Sequence, residues 1–255
     1  MQNKFCGKKK SHIYVKVCSI QWLYLHPIRR IATIYIDISI MSVFIIFAER
    51  TQNLIYMIDS IVFDLGGVVI GRDYDRYGHE IAEFSFLQGD RPFPEYWKLY
   101  DSGRCSREEV VAAISAETTL TPAQADAKLD RLMELFNEFH DTAELIAQLS
   151  AKGYKLYVLS NMPADFYAYV SRFDVFRYFD GQIISSAEKI MKPDPRFFGL
   201  LTERFGLKPE NTLFVDDKPT NTEAARRLGF NVCLFTPGRE SCDAIRAILG
   251  IECDR

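Results

Sequence analysis

The sequence predicts an α/β fold, a parallel sheet covered by helices on both faces and interrupted once by a helical insertion. Short β-branched runs alternate with helical patterns, and the runs are almost continuously apolar, as strands covered on both faces are. The first two runs are separated by about ninety residues, far beyond an ordinary crossover, and that gap is rich in helical patterns. With 48% hydrophobic and 25% charged residues, the 255-residue chain has an ordinary globular composition, enough to bury a full core.

The candidate strands are 58–63 (IDSIVF), 154–159 (YKLYVL), 181–184 (GQII), 211–215 (NTLFV) and 230–235 (FNVCLF). Helices are expected near 141–152, 195–206, 220–228 and 239–249, the third stopping at Leu228-Gly229. Within the long gap, helix-like segments fall at 79–87, 94–101, 106–117 and 121–139, with no convincing strand. Ser106 with Glu109 makes a capping box, and Thr121-Pro122 opens another helix. Residues 57–72 and 141–255 are therefore read as the core domain, and 73–140 as a helical cap inserted after the first strand.

Residues 1–56 have a different character. They carry eight Lys/Arg and two acids, whereas the remainder carries 23 basic and 32 acidic residues. The apolar run 31–48, preceded by Arg29 and Arg30, has the form of a signal anchor near the minimum spanning length. Asp37 within it opposes insertion by about 2.5–3.5 kcal/mol near a helix centre. Met57 stands directly before the first complete strand, so residues 1–56 are expected to be an extension outside the working protein, with a membrane anchor or an ordered accessory segment as the lesser readings. The acidic body gives no electrostatic reason to expect nucleic-acid binding. Six scattered cysteines without a C-x-x-C spacing suit reduced thiols and a cytoplasmic location, and Cys233 in its apolar run reads as core.

In open parallel sheets the ligand lies beyond the carboxyl ends of the strands, so the residues that follow each strand describe the site. The first strand ends in Asp64-Leu65-Gly66-Gly67-Val68, a carboxylate followed by glycines that let backbone approach an anion. The second ends in Leu159-Ser160-Asn161, offering a hydroxyl and a backbone amide. After the third comes Lys192-Pro193-Asp194-Pro195, and the fourth ends in Val215-Asp216-Asp217 with Asn221 on the next turn. Taken singly, Asp64 could cap a turn, Ser160-Asn161 could be an ordinary turn, and Lys192 could be a solvated charge. Adjacent acids at a strand end are harder to set aside, because like charges repel unless a cation binds them.

The ordered set DLGGV, LSN, KPDP and VDD resembles the four motifs of the haloacid dehalogenase (HAD) superfamily, over about residues 57–250. The segment YDSGRCSREEV (100–110) is similar to cap segments of members near glucose-1-phosphate phosphatases and the N-terminal phosphatase of epoxide hydrolases. The resemblance implies a Rossmann-like doubly wound sheet of order 3-2-1-4-5 with a C1-type cap. It implies a Mg²⁺-dependent phosphatase acting on a small phosphorylated metabolite, a sugar phosphate favoured, through an aspartyl-phosphate on Asp64. Mg²⁺ would be held by Asp64, the Gly66 carbonyl and Asp216, with Asp217 a second or water-mediated partner. Lys192 would balance charge, and Ser160 and the Asn161 amide would bind the phosphate.

One position departs from the family pattern. The hydrolases usually carry a second aspartate two residues after the nucleophile as general acid and base, a device typically worth ~10²–10⁴ in rate, and here that residue is Gly66. The expectation is then a leaving group of low pKa, such as an anomeric sugar phosphate or an acyl phosphate. Two other readings stay open: a catalytically silent member that binds a phosphorylated ligand or a protein, and a metal-free 2-haloacid dehalogenase, whose family branch lacks the acidic pair. Arg72, Tyr74, Trp97 and Arg104 are cap residues that either face the site or belong to core or surface.

Overall fold

A computed structural model describes residues 58–89 and 92–251. The extension 1–56, with its apolar run, lies outside these residues. Among the described residues no helix is long and apolar enough to cross a membrane.

Five parallel strands form the main sheet: β1 (Ser60–Phe63), β4 (Lys155–Ser160), β5 (Gly181–Ile184), β6 (Thr212–Asp216) and β7 (Asn231–Leu234). Their spatial order is β5-β4-β1-β6-β7, the expected 3-2-1-4-5. Register is continuous across the centre, with Phe63 opposite both Val158 and Val215. Alternate side chains of a strand face opposite sides. Accordingly Ile61, Phe63, Leu156, Val158, Leu213 and Val215 join one apolar interior, while Val62, Tyr157, Leu159 and Phe214 join another. Both faces are buried, which is why the strand runs lack a polar alternation.

Helices α5 (His140–Ala151) and α10 (Arg239–Ile248) cover the first face through Leu145, Ile146, Leu149, Cys242 and Ile245. Helices α8 (Pro195–Phe205) and α9 (Pro219–Arg227) cover the second through Phe197, Phe198, Leu201 and Ala225. Cys233 is buried, as expected of its apolar run, and Cys105, Cys233 and Cys242 are free thiols.

The segment between β1 and β4 corrects three expectations. It contains strand pairing: β2 (Ile70–Gly71) runs antiparallel to β3 (Asn137–Glu138), so the chain leaves the core and returns to it through one short ribbon. Two-residue strands carry no readable period, and β3 was hidden within the helix expected over 121–139. That helix, α4, spans only Pro122–Glu134, capped by Thr121 and Gln124. The expected helix at 79–87 is instead a kinked 3₁₀ run, Gly78–Gln88, with non-helical backbone at Ile81 and Phe84, preceded by the single turn α1 (Tyr74–Tyr77). Helices α2 (Glu95–Asp101) and α3 (Arg107–Glu117) complete the layer, and the Ser106/Glu109 capping box forms. Two short helices not expected from the sequence, α6 (Ala164–Val170) and α7 (Ser185–Glu188), follow β4 and β5.

Helix α6 is where the inserted layer rests on the core. Trp97 meets Phe86 at 5.2 Å and Phe166 at 5.9 Å, and Tyr100 meets Phe166 at 6.2 Å, all edge to face. Beside these rings Asp165 accepts from the Tyr100 hydroxyl at 2.6 Å and pairs with Arg107 at 2.8 Å.

Candidate active site

The four strand-end motifs meet at the carboxyl edge of the sheet. Asp64 follows β1 directly, and its amide donates to the Val215 carbonyl at 2.9 Å, tying the β1 and β6 tips together. Three donors fix one of its carboxylate oxygens, Oδ1: the Ser160 hydroxyl at 2.7 Å, the Lys192 ammonium at 3.0 Å and the Leu65 amide at 2.7 Å. Oδ2 receives no hydrogen bond from any described residue.

Lys192 is fully buried, yet charged. Its Nζ lies 2.6 Å from Asp216 and donates to the Leu159 carbonyl at 2.8 Å. Burial pulls the ammonium down, but Asp216 and Asp64 together hold it above the ordinary lysine value. Asn161 explains how Lys192 is placed. The Lys192 amide donates to Asn161 Oδ1 at 2.8 Å, and Asn161 Nδ2 donates back to the Lys192 carbonyl at 3.0 Å. The Asn161 side chain is thus engaged, and the residue lines the cleft.

Asp216 is wholly buried and receives the Lys218 amide at 2.8 Å and Asn221 Nδ2 at 3.0 and 3.1 Å, besides Lys192. Desolvation raises its carboxyl, with Lys192 opposing. Asp217 differs. Its Oδ1 is buried without a hydrogen-bond partner among the described residues, and burial with the charge of Asp64 pushes its carboxyl up to about 6. Acceptor oxygens of Asp64, Asp216 and Asp217 lie within 4.8 Å of one another. Among these three acids only Asp64 and Asp216 have an ion-pair partner, the shared Lys192, while Lys218 acts on Asp217 without pairing with it, an excess of negative charge that a divalent cation would offset.

The two glycines after Asp64 serve different ends. Gly67 has φ +78°, and a Cβ there would stand 2.7 Å from Asp217 Oδ2. Gly66 faces open space: a Cβ would meet nothing within 4 Å. Above these residues opens a cleft of about 1200 Å³, lined by the core motifs and by the inserted layer. Arg72, Tyr74, Trp97 and Arg104 all line it. The Arg72 guanidinium stacks 3.6 Å over Phe136 and donates to the Leu132 carbonyl at 2.7 Å. Trp97, Phe136 and Phe166 give the upper wall an apolar, aromatic character. Among the charged residues of this cleft that sequence reasoning missed are Lys218 and Asp101, although the second stands in the quoted YDSG segment.

Residues 58–229 match the haloacid dehalogenase-like hydrolase family. The chain belongs to that family. As a haloacid dehalogenase-like hydrolase it is 24% identical to a sesquiterpene phosphatase of Aspergillus oryzae, over 61% of this chain and 80% of that one. It is 26% identical to (S)-2-haloacid dehalogenase 4A of Burkholderia cepacia, over 69% and 83% respectively. Among solved structures it is similar to a haloacid dehalogenase family enzyme of Bacteroides thetaiotaomicron in a magnesium complex. There the TM-score is 0.61 and the identity 25%, over 74% of this chain and 98% of that one. The same enzyme is known with magnesium and inorganic phosphate together.

Proposed function

We propose that this hydrolase is a Mg²⁺-dependent phosphatase that cleaves a small phosphate monoester through a phosphorylated Asp64. The observation that carries this reading is the convergence of Asp64, Asp216 and Asp217 around a buried carboxylate oxygen with no donor. A metal-free dehalogenase has no use for that excess of negative charge. Asp64, the Gly66 carbonyl and the Asp216–Asp217 pair would hold the ion. Asp217 brings the oxygen that lacks a donor, while both Asp216 oxygens already accept hydrogen bonds. Bound there, Mg²⁺ would neutralise the phosphoryl oxygens as an anionic nucleophile approaches.

The chain's own residues supply the rest. Ser160, Lys192 and the Leu65 amide all hold one oxygen of the Asp64 carboxylate, so its attack needs little reorganisation. Once phosphate arrives, the Ser160 hydroxyl and the Asn161 amide are the donors nearest the strand tips, and Lys192 offsets the charge of both anions. The aromatic wall of the cleft suits a leaving group with an apolar face, and sugar phosphates belong in the first substrate panel.

The test is release of inorganic phosphate from sugar phosphates, nucleotides, flavin mononucleotide and 4-nitrophenyl phosphate, with Mg²⁺ and with EDTA. Release that depends on Mg²⁺ is expected. Halide release from a 2-haloacid in EDTA, with no phosphate release in Mg²⁺, would replace this reading with the dehalogenase one.

A further inference from the structure

Phosphoryl transfer to Asp64 leaves a problem that the core motifs do not solve. The departing ester oxygen needs a proton unless its alcohol is unusually acidic, and the β1 turn offers only Gly66, whose missing side chain opens onto empty space. The cleft itself contains a further carboxyl, Asp101, at the end of α2.

Asp101 is buried and built into place. The Ser185 hydroxyl donates to its backbone carbonyl and accepts from the Met162 amide at 2.9 Å, so one side chain links Asp101 to the Ser160–Asn161 segment. The turn that follows is fastened to the same stretch of core: Lys189 Nζ donates to the Gly103 carbonyl, and Arg104 Nε donates to the Lys189 carbonyl at 3.0 Å. Gly103 adopts φ +63° and passes so close to Ser186 that a Cβ would stand 2.2 Å from its carbonyl oxygen. On the other side, Tyr100 is bonded to Asp165. The inserted layer is therefore held against the core on both sides of Asp101. No described residue donates a hydrogen bond to its carboxylate, which is left to the cleft.

We infer that Asp101 is the general acid and base of this site, donating a proton to the leaving-group oxygen and later taking one from the hydrolytic water. The inference rests on the phosphatase reading above. In the first displacement an Asp64 oxygen bonds to phosphorus as the ester P–O bond breaks, and the departing oxygen takes the Asp101 proton and leaves as alcohol. In the second, a water oxygen bonds to phosphorus as the Asp64–phosphorus bond breaks, its electron pair returning to the carboxylate. The proton lost by water passes to Asp101. Inorganic phosphate leaves, and both carboxyls regain their starting states.

The surroundings of Asp101 agree with this cycle. Burial pushes its carboxyl up to about 8, Lys218 pulls it down, Asp64 pushes it up and Arg72 pulls it down. It therefore holds a proton at neutral pH. A raised carboxyl in the same cleft as a carboxyl group that lies 3.0 Å from an ammonium is the arrangement that separates acid from nucleophile. The low-pKa leaving group expected from Gly66 then ceases to be required.

The experiment measures kcat/KM in the Mg²⁺-loaded full-length protein, across monoesters whose alcohols range from 4-nitrophenol to a primary alkyl alcohol. The wild type should depend weakly on leaving-group pKa. Asp101→Asn should lose about 10²–10⁴ on the primary alkyl ester while keeping 4-nitrophenyl phosphate within about tenfold. Adding Gly66→Asp to that variant should recover about tenfold or more on the alkyl ester, because the open space at residue 66 admits a carboxyl. Equal loss on both ester classes would mean that Asp101 only holds the layer in place, and unchanged alkyl turnover would remove it altogether. A wild type that already falls steeply with leaving-group pKa overturns the inference without any variant, and leaves the phosphatase reading standing. Release of phosphate from no ester overturns the reading itself, and this inference with it.

Discussion

A buried carboxylate attacks well only if it does not swing. Asp64 is held by three donors on one oxygen, one of them the fully buried Lys192. Asp64→Asn keeps the shape but cannot form the acyl phosphate, so turnover should fall by more than about 10³ with circular dichroism unchanged. Retention within tenfold of wild type would remove Asp64 as the nucleophile. The residues around Asp64 were readable because parallel strands deliver their ends to one edge, so four short motifs far apart in sequence had to converge. Asp101 was not readable in that way. It sits at the end of an inserted helix, and no spacing along the chain relates that helix to a strand tip. Its place depends on Ser185, whose hydroxyl joins two segments more than eighty residues apart. Gly66 was read as a deficit, but what surrounds an absent side chain is a property of the fold alone.

Among the elements, the turn after α2 brings the inserted layer into close approach with the core. Gly103→Ala combines a left-handed backbone with a clash against the Ser186 carbonyl, and should cost about 1–3 kcal/mol. Gly153→Ala is the control, since Gly153 has φ +88° but open space around it and bears the backbone penalty without the clash. Denaturant midpoints at unchanged m-value measure the difference, and equal losses in the two variants would show that the close approach does not matter. The strands of the main sheet were legible to within a residue or two because runs buried on both faces are long and apolar. The 3₁₀ run at Gly78–Gln88 and the β2–β3 ribbon were not. Kinked backbone mixes periods, and a two-residue pairing is decided by the partner strand rather than by its own sequence.

For the molecule as a whole, the buried acids link stability to pH and to metal. Asp101 and Asp217 have folded values of about 8 and about 6, above the ordinary carboxylate range that the unfolded chain shows. Their stabilising contribution is therefore complete below about pH 4 and is lost as pH rises through the folded values. Asp101→Asn cannot ionise, so in EDTA it should match the wild-type melting temperature near pH 4, exceed it increasingly between about pH 4 and pH 8, and keep a constant margin above that. Mg²⁺ should raise the wild-type melting temperature more at pH 7 than at pH 5, because protons compete with the ion for Asp217. A Mg²⁺ effect of the same size at both pH values would place the ion elsewhere. The two faces of the sheet have unequal reach in this molecule. Phe63, Val158 and Val215 share one unbroken interior with Trp97, Tyr100 and Leu129 of the inserted layer, whereas Val62, Leu159 and Phe214 pack only with helices of the core. The sheet is thus a partition for the roof alone: change in front of it is transmitted to the roof of the cleft and becomes a change in substrate preference, while change behind it reaches the floor of the site through Phe214, whose ring lies 5.5 Å from the Lys192 ammonium.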